Sequence, residues 1–257
     1  MVKTVGIDKR LQILIISGIL MLLLPVLVNA DEPDWKILNA LLKENVSSGK
    51  RNGVVLNLLD YRRLQRDARF DTVIDQVQKF PLARLQAEKE RLAFYINAYN
   101  VFAIKMVLDH WPLESIKDAG SLFNPVWKKP IGFIDGKRVS LHEIEHEILR
   151  KMAEPRIHMA IVCASVSCPD LRNEAYTAVK LDQQLDEQSA QFLNNAKKGL
   201  RLEGDEILVS KIFDWFEKDF ASVGGVKGFI ARYRKDVSTN LDVEAELSYD
   251  WSLNIKH

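Results

Sequence analysis

Apolar residues recur at helical spacing over much of the chain, and the helices they predict come with readable ends. Trp35, Leu38, Leu41 and Leu42 form one stripe behind Asp34, a suitable cap, and Ser47-Ser48-Gly49 and Asn52-Gly53 follow as turns. Tyr61–Arg69 and Asp71–Phe80 read as two further helices, the second stopped by Pro81. The longest pattern is Ala87–His110, where Leu92, Tyr95, Ile96, Tyr99, Phe102, Ala103 and Met106 share a face before Trp111-Pro112 ends it. Ser140 with Glu143 three residues on is a capping box, opening a helix that buries Leu141, Ile144, Ile148, Leu149 and Met152. Leu181–Ala196 ends at Gly199, Ser210 caps Lys211–Phe220, and Val226–Arg234 follows a Gly224-Gly225 turn.

Between these helices the period shortens. Trp127–Ile134 and Lys137–Leu141 flank Asp135-Gly136, a favoured pair for a two-residue hairpin turn. Leu200–Glu203 and Glu206–Val209 flank Gly204-Asp205 in the same way. Val54–Asp60 is short and apolar, Ile157–Cys163 is a short β-branched run that reads as a buried strand, and Val243–Tyr249 reads as a last strand. The pattern predicts an α+β fold: helices packed on a small, mainly antiparallel sheet made of the two hairpins and the Ile157–Cys163 strand.

The first thirty residues change this picture. Lys3, Lys9 and Arg10 precede an apolar run from Leu11 to Val28, then Val28-Asn29-Ala30, the pattern of a secretory signal cleaved after Ala30. The competing reading is an uncleaved anchor, since residues 11–28 approach the length that spans a bilayer. One domain, residues 31–257, is expected after the signal, with residues 31–60 as a helical extension, in the periplasm or secreted. The 36 basic and 35 acidic residues nearly cancel, which leaves no electrostatic footprint for nucleic acid. Only Cys163 and Cys168 are present, and export permits them to pair.

Candidate chemistry gathers around Arg156–Arg172. Cys168 precedes Pro169-Asp170, so it is expected near a helix start, where unpaired N–H groups favour a thiolate. Glu145 falls on the apolar face of its helix, with His142 and His146 on the border, and a carboxylate there needs a partner. Asn97 and Asn100 stand within the apolar pattern of the longest helix. Asn97 either fixes a neighbouring backbone or orients a catalytic histidine. His158 is either a satisfied core histidine or a competing base, and Cys163 reads as a buried structural thiol. The helix also spells HEIEH, the zincin pattern, but Glu143 is spent on the capping box and no third ligand follows at zincin spacing. We therefore read no metal and no cofactor.

Five segments, AFYINAYN at Ala93–Asn100, LHEIEHEILR at Leu141–Arg150, RIHMAIVCASVSCPDLR at Arg156–Arg172, SKIFDWFEKDF at Ser210–Phe220 and YDWSLN at Tyr249–Asn254, together resemble the family called domain of unknown function 547. Their order and spacing agree with it. The resemblance places the family's polar signature on Asn97, Glu145, His146, His158, Cys163, Cys168, Pro169 and Arg172. The chain departs from the family pattern in four places. Tyr95 stands where Trp is common, Ala164 and Val166 where Gly and a basic residue are common, and His142 where an acid is usual.

Two functions stay open. One is a cysteine-dependent hydrolase or acyl transferase acting on a peptide or small molecule, with Cys168 as nucleophile, His146 as base, Asn97 or Glu145 orienting it, and His158, Arg172 and Cys163 nearby as binding residues. The other is a non-catalytic envelope binding or structural module with a Cys163–Cys168 disulfide. A redox-active dithiol is a third option, although four intervening residues differ from the two of C-x-x-C.

Overall fold

The computed structural model describes residues 1–2, 32–121, 124–238 and 240–256. The expected signal segment lies outside the described residues apart from Met1 and Val2. Among the described residues, no helix is long and apolar enough to cross a membrane.

The longest helix, α4 (Glu88–Asp109), is the axis of the main core. It is buried nearly all round, with Phe94, Ile96, Phe102 and Val107 fully enclosed, so its apolar positions exceed a single stripe. Each such side chain contributes about 1.5–3 kcal/mol by leaving water. The helices α1 (Lys36–Asn45) and α3 (Arg69–Lys79) pack on each other, and α3 in turn packs on α4. Between α1 and α3 lies the short α2 (Tyr61–Leu64), capped by Asp60, whose carboxylate accepts the Arg63 N–H at 2.9 Å. A second, smaller core gathers Phe213, Phe220 and Phe229 with Phe192, Val209 and Ile230.

The strands form three small sheets. β1 (Val46–Arg51) and β2 (Val54–Leu59) are an antiparallel hairpin turned by Asn52 and Gly53 at φ 49° and 83°. β3 (Pro130–Ile134) and β4 (Lys137–Ser140) form another, with Asp135 and Gly136 both at positive φ as the sequence predicts. β5 (Leu200–Glu203) pairs antiparallel with β6 (Glu206–Ser210), and β7 (Asp242–Leu247) adds to β6 in parallel. The class is α+β, as expected. The single sheet built around Ile157–Cys163 is not what forms.

Three local expectations are corrected. Ile157–Cys163 is not a strand: Pro155–Met159 is a 3₁₀ turn, and the chain beyond it runs without a ladder. Its burial is as expected, but Asn100 serves its backbone, accepting the Val162 N–H at 2.8 Å and donating to the Ala160 carbonyl at 3.0 Å. No helix follows Cys168, and Pro169–Thr177 is irregular. Instead the buried Lys198 ammonium donates to the Cys168 carbonyl and to the Asp170 carboxylate, each at 2.7 Å. The helix after Ser140 is widened into a π-helix over Glu143–Leu149, where the Arg150 N–H reaches back five residues to the Glu145 carbonyl. Its capping box forms as read, with Glu143 accepting from Ser140 N–H and Oγ at 2.8 and 2.7 Å.

The remaining helices are α5 (Leu181–Leu193), α6 (Ile212–Trp215) and α7 (Gly225–Tyr233). The last residues then thread back along the 164–167 loop. Val166 N–H meets the Ser252 carbonyl at 2.8 Å, and Asn254 N–H meets the Ala164 carbonyl at 3.0 Å. This return carries Tyr249 and Trp251 over the cysteines.

Candidate functional site

Where the two cores meet, a cavity of about 180 Å³ opens. Tyr99 of α4, His142 just before the π-helix, and Glu145 and His146 on it line one side. His158, Ile161, Cys163, Cys168 and Pro169 come from the central stretch. Trp127, Ile212, Trp215, Phe216, Tyr249 and Trp251 complete the wall. Trp215 and Trp251 stack at 5.7 Å and 22°, and Tyr249 lies 4.5 Å from Trp251. Trp215 is 45% exposed, so the aromatic wall reaches solvent. The Lys117 ammonium sits 3.6 Å from the Trp251 ring centre.

Cys163 and Cys168 are joined in a disulfide. Cys168 Sγ accepts the Cys163 backbone N–H at 3.0 Å and the Tyr249 hydroxyl at 3.3 Å. Cys163 Sγ lies 3.0 Å from Ser165 Oγ and 3.3 Å from the Tyr249 hydroxyl. Ser165 in turn donates to the Tyr249 oxygen at 3.4 Å.

The polar wall is a chain of four groups. Asp219 receives Arg150 Nε and Nη2 at 2.6 and 2.8 Å, and His158 Nε2 at 2.8 Å. The His158 contact and the guanidinium hold the Asp219 carboxyl well below the usual carboxylate range. Burial lowers His158, against the pull of Asp219, and its ring stacks on Phe216 at 4.1 Å. With Nε2 tied to Asp219, His158 Nδ1 is left buried and makes no hydrogen bond among the described residues. Arg150 Nη1 also donates to His146 Nδ1 at 2.8 Å. A guanidinium only donates, so Nδ1 of His146 is the acceptor and the neutral ring carries its proton on Nε2. Burial first, then the neighbouring His142 and Arg150, push His146 down to about 4.

Glu145 is held by one long hydrogen bond from the Tyr99 hydroxyl, 3.3 Å. Burial pushes its carboxyl up to about 7, with Tyr99 and Arg150 opposing. The cavity wall therefore carries a carboxyl raised to about 7 and a histidine N–H, while the unbonded His158 nitrogen beside them is buried. Near it His142 and His146 face each other, ring centres 4.4 Å apart, and Glu143 remains on its cap.

Of the residues singled out from the sequence, Glu145, His146, His158, Cys163, Cys168 and Pro169 meet at this cavity. Asn97 and Arg172 do not line it. Asn97 accepts the Tyr176 N–H at 2.9 Å and donates to the Tyr176 carbonyl at 2.8 Å. Arg172 pairs with Glu174 at 2.7 Å and Glu187 at 2.9 Å. The sequence reading missed Tyr99, Trp127, Arg150, Trp215, Asp219, Tyr249 and Trp251 as site residues. Trp215 and Asp219 interrupt the inward-facing apolar stripe of Ile212, Phe213, Phe216 and Phe220, which was the one signal for them.

A family model described as "Protein of unknown function, DUF547" matches residues 82–193. Over that span the chain is similar to DUF547. The DUF547 span holds Tyr99, Trp127, the π-helix residues and both cysteines. Ile212, Trp215, Phe216, Tyr249 and Trp251, which close the cavity, lie after it. No curated protein matches the chain, and no solved structure matches it.

Proposed function

We propose that the cavity is a ligand-binding site for a small organic molecule or peptide end, in an exported module whose inner wall is the Cys163–Cys168 disulfide. The observation that carries this reading is the aromatic wall. Trp127, Trp215, Tyr249 and Trp251 converge from three separate parts of the chain beside a small set of polar groups, the composition expected of a small-molecule pocket. Stacked rings with a half-exposed outer face bind flat apolar or sugar-like surfaces, while Glu145 and the His146 N–H fix orientation. The test is tryptophan fluorescence titration against a panel of peptides, disaccharides and small thiols. Binding should be seen, and Trp215→Ala should weaken it about tenfold or more, as loss of a central aromatic contact does. If no compound in the panel gives a Trp215-dependent change, the reading fails.

Export has its own support. The basic start and apolar run of residues 1–30 read as a signal, and a disulfide persists in an oxidising compartment. The exported protein should begin at Asp31 by intact mass. Retention of residues 1–30 in the membrane fraction would replace the soluble form with an anchored one.

A second reading, a cysteine-dependent hydrolase or acyl transferase, is favoured by one observation: Glu145, His146, His158 and both sulfurs share one cavity. It requires reduction of the disulfide. In that state a ring must also shift to serve as base, because His158 Nδ1 is unbonded but buried and His146 presents an N–H. Ester hydrolysis appearing only after reduction, and lost in Cys163→Ser or Cys168→Ser, would favour it over binding alone.

A further inference from the structure

We propose that the Cys163–Cys168 disulfide is itself a reactive centre, exchanging with a small thiol that enters the cavity. This rests on the binding reading above and names the class of ligand.

The two cysteines differ in exposure. Both line the cavity, but Cys168 is only 3% exposed and belongs to the main core, while Cys163 is partly open. An entering thiolate therefore meets Cys163 Sγ, and Cys168 is the leaving sulfur. The leaving sulfur already has its donors in place. The Cys163 N–H at 3.0 Å points to Cys168 Sγ, and the Tyr249 hydroxyl, 3.3 Å from each sulfur, can give its proton to the one that leaves. Ser165 donates to the Tyr249 oxygen, which leaves the Tyr249 proton for sulfur. A leaving thiol whose anion is stabilised departs faster, and donors fixed before reaction need no reorganisation.

The step balances as follows. The thiol enters as its thiolate, having given its proton to water. The thiolate's electron pair makes a new bond to Cys163 Sγ, and the pair of the broken bond goes to Cys168 as thiolate. A second thiol then attacks the outer sulfur of the mixed disulfide and displaces Cys163. Two thiols are oxidised to one disulfide, and the protein disulfide takes up two electrons and two protons.

Reduced glutathione is the probe for the test, applied to the native oxidised protein, followed by acid quench, maleimide labelling and peptide mapping. Glutathione is expected on Cys163 and maleimide on Cys168. Tyr249→Phe should slow reduction about tenfold, the worth of one hydrogen bond to a charged group, with the fold unchanged by circular dichroism. Cys168→Ser treated with glutathione disulfide should hold a stable adduct on Cys163. A disulfide that resists glutathione but yields to dithiothreitol would overturn the proposal, as would glutathione mapped to Cys168 or Tyr249→Phe reduced at the wild-type rate. S-methylglutathione, which has no thiol, separates the two readings. If it binds but glutathione does not exchange, the cavity stands and the exchange falls; if neither binds nor reacts, and no other compound binds, both fall.

Discussion

Asn97 and Asn100 on α4, and Glu145 and His146 on the π-helix, stand beside apolar stripes in the same way along the sequence. The folded chain treats them oppositely. Each asparagine spends both halves of its amide on buried backbone: Asn97 on Tyr176, Asn100 on Ala160 and Val162. Glu145 has one long bond from Tyr99, and His146 has Arg150 on one nitrogen and the cavity beside it. Saturated polar groups hold the irregular central stretch in place of a ladder. Unsaturated ones carry shifted pKa values and face open space, which is where perturbed groups and chemistry coincide. The difference separates structural clamps from candidate site groups by hydrogen-bond accounting alone.

The largest test of that contrast is Asn100→Ala. It orphans the Val162 N–H and the Ala160 carbonyl, each a buried backbone group. Two unsatisfied groups cost about 4 kcal/mol together. Urea unfolding should show that loss, and Asn97→Ala should show a similar one through Tyr176. A loss below about 1 kcal/mol at both positions would break the comparison, because the clamps would then be dispensable.

These particulars also show what the sequence could reveal. Hairpins at Asp135-Gly136 and Gly204-Asp205 were legible because turn chemistry is local. So was the Ser140–Glu143 box. β1 was not, because Ser47-Ser48-Gly49 has no apolar pattern of its own and is a strand only through its register with β2. Ile157–Cys163 was read correctly as buried and wrongly as a strand, since an apolar run reports burial whatever serves its backbone. Glu145, His142 and His146 were visible as oddities on a helix face, and His158 and the two cysteines as candidate chemistry on the central stretch. The cavity's aromatic wall was not, because Trp127, Trp215 and Trp251 are brought together only by the return of the C-terminal segment. The disulfide was one of two open states of the cysteines, and the sequence had no means to choose between them.

A middle-sized effect tests the cavity side. Burial lifts the Glu145 carboxyl from 4.5 to about 7, so the folded protein holds this proton more tightly than the unfolded chain. Its contribution to stability is complete below about pH 4.5 and falls as pH rises to about 7, then stays lost. Glu145→Gln removes the group that titrates. The variant should match the wild type near pH 4.5 and exceed it by about 3 kcal/mol at pH 8, measured by urea unfolding at both values. Glu32, also raised to about 7 by burial, adds the same slope to both proteins and cancels in the difference. Equal stabilities at pH 8 would mean that Glu145 is paired as fully as the asparagines, and the contrast would lose its second half.

The smallest effect falls at the joint between the two regions. Beyond the stretch that Asn100 clamps, the chain turns at Ala164, the first residue inside the Cys163–Cys168 loop, and Ala164 has φ 61°. A side chain with a Cβ is disfavoured in that left-handed conformation by about 1–2 kcal/mol, and glycine is not. This is the position where the family resemblance expects Gly, so the backbone geometry supplies a physical reason for that preference. Ala164→Gly relieves the strain but gives the unfolded chain more freedom, which returns part of the gain. The net expectation is a stabilisation of about 0.5–1 kcal/mol, read as a rise in thermal midpoint of a few degrees. Ala164 is itself buried and gives its carbonyl to Asn254 N–H, a bond that glycine preserves. A destabilised variant would show that the Ala164 methyl packs more usefully than its backbone is strained. The turn would then belong with the packed, saturated side of the molecule and not with the strained approach to the cavity.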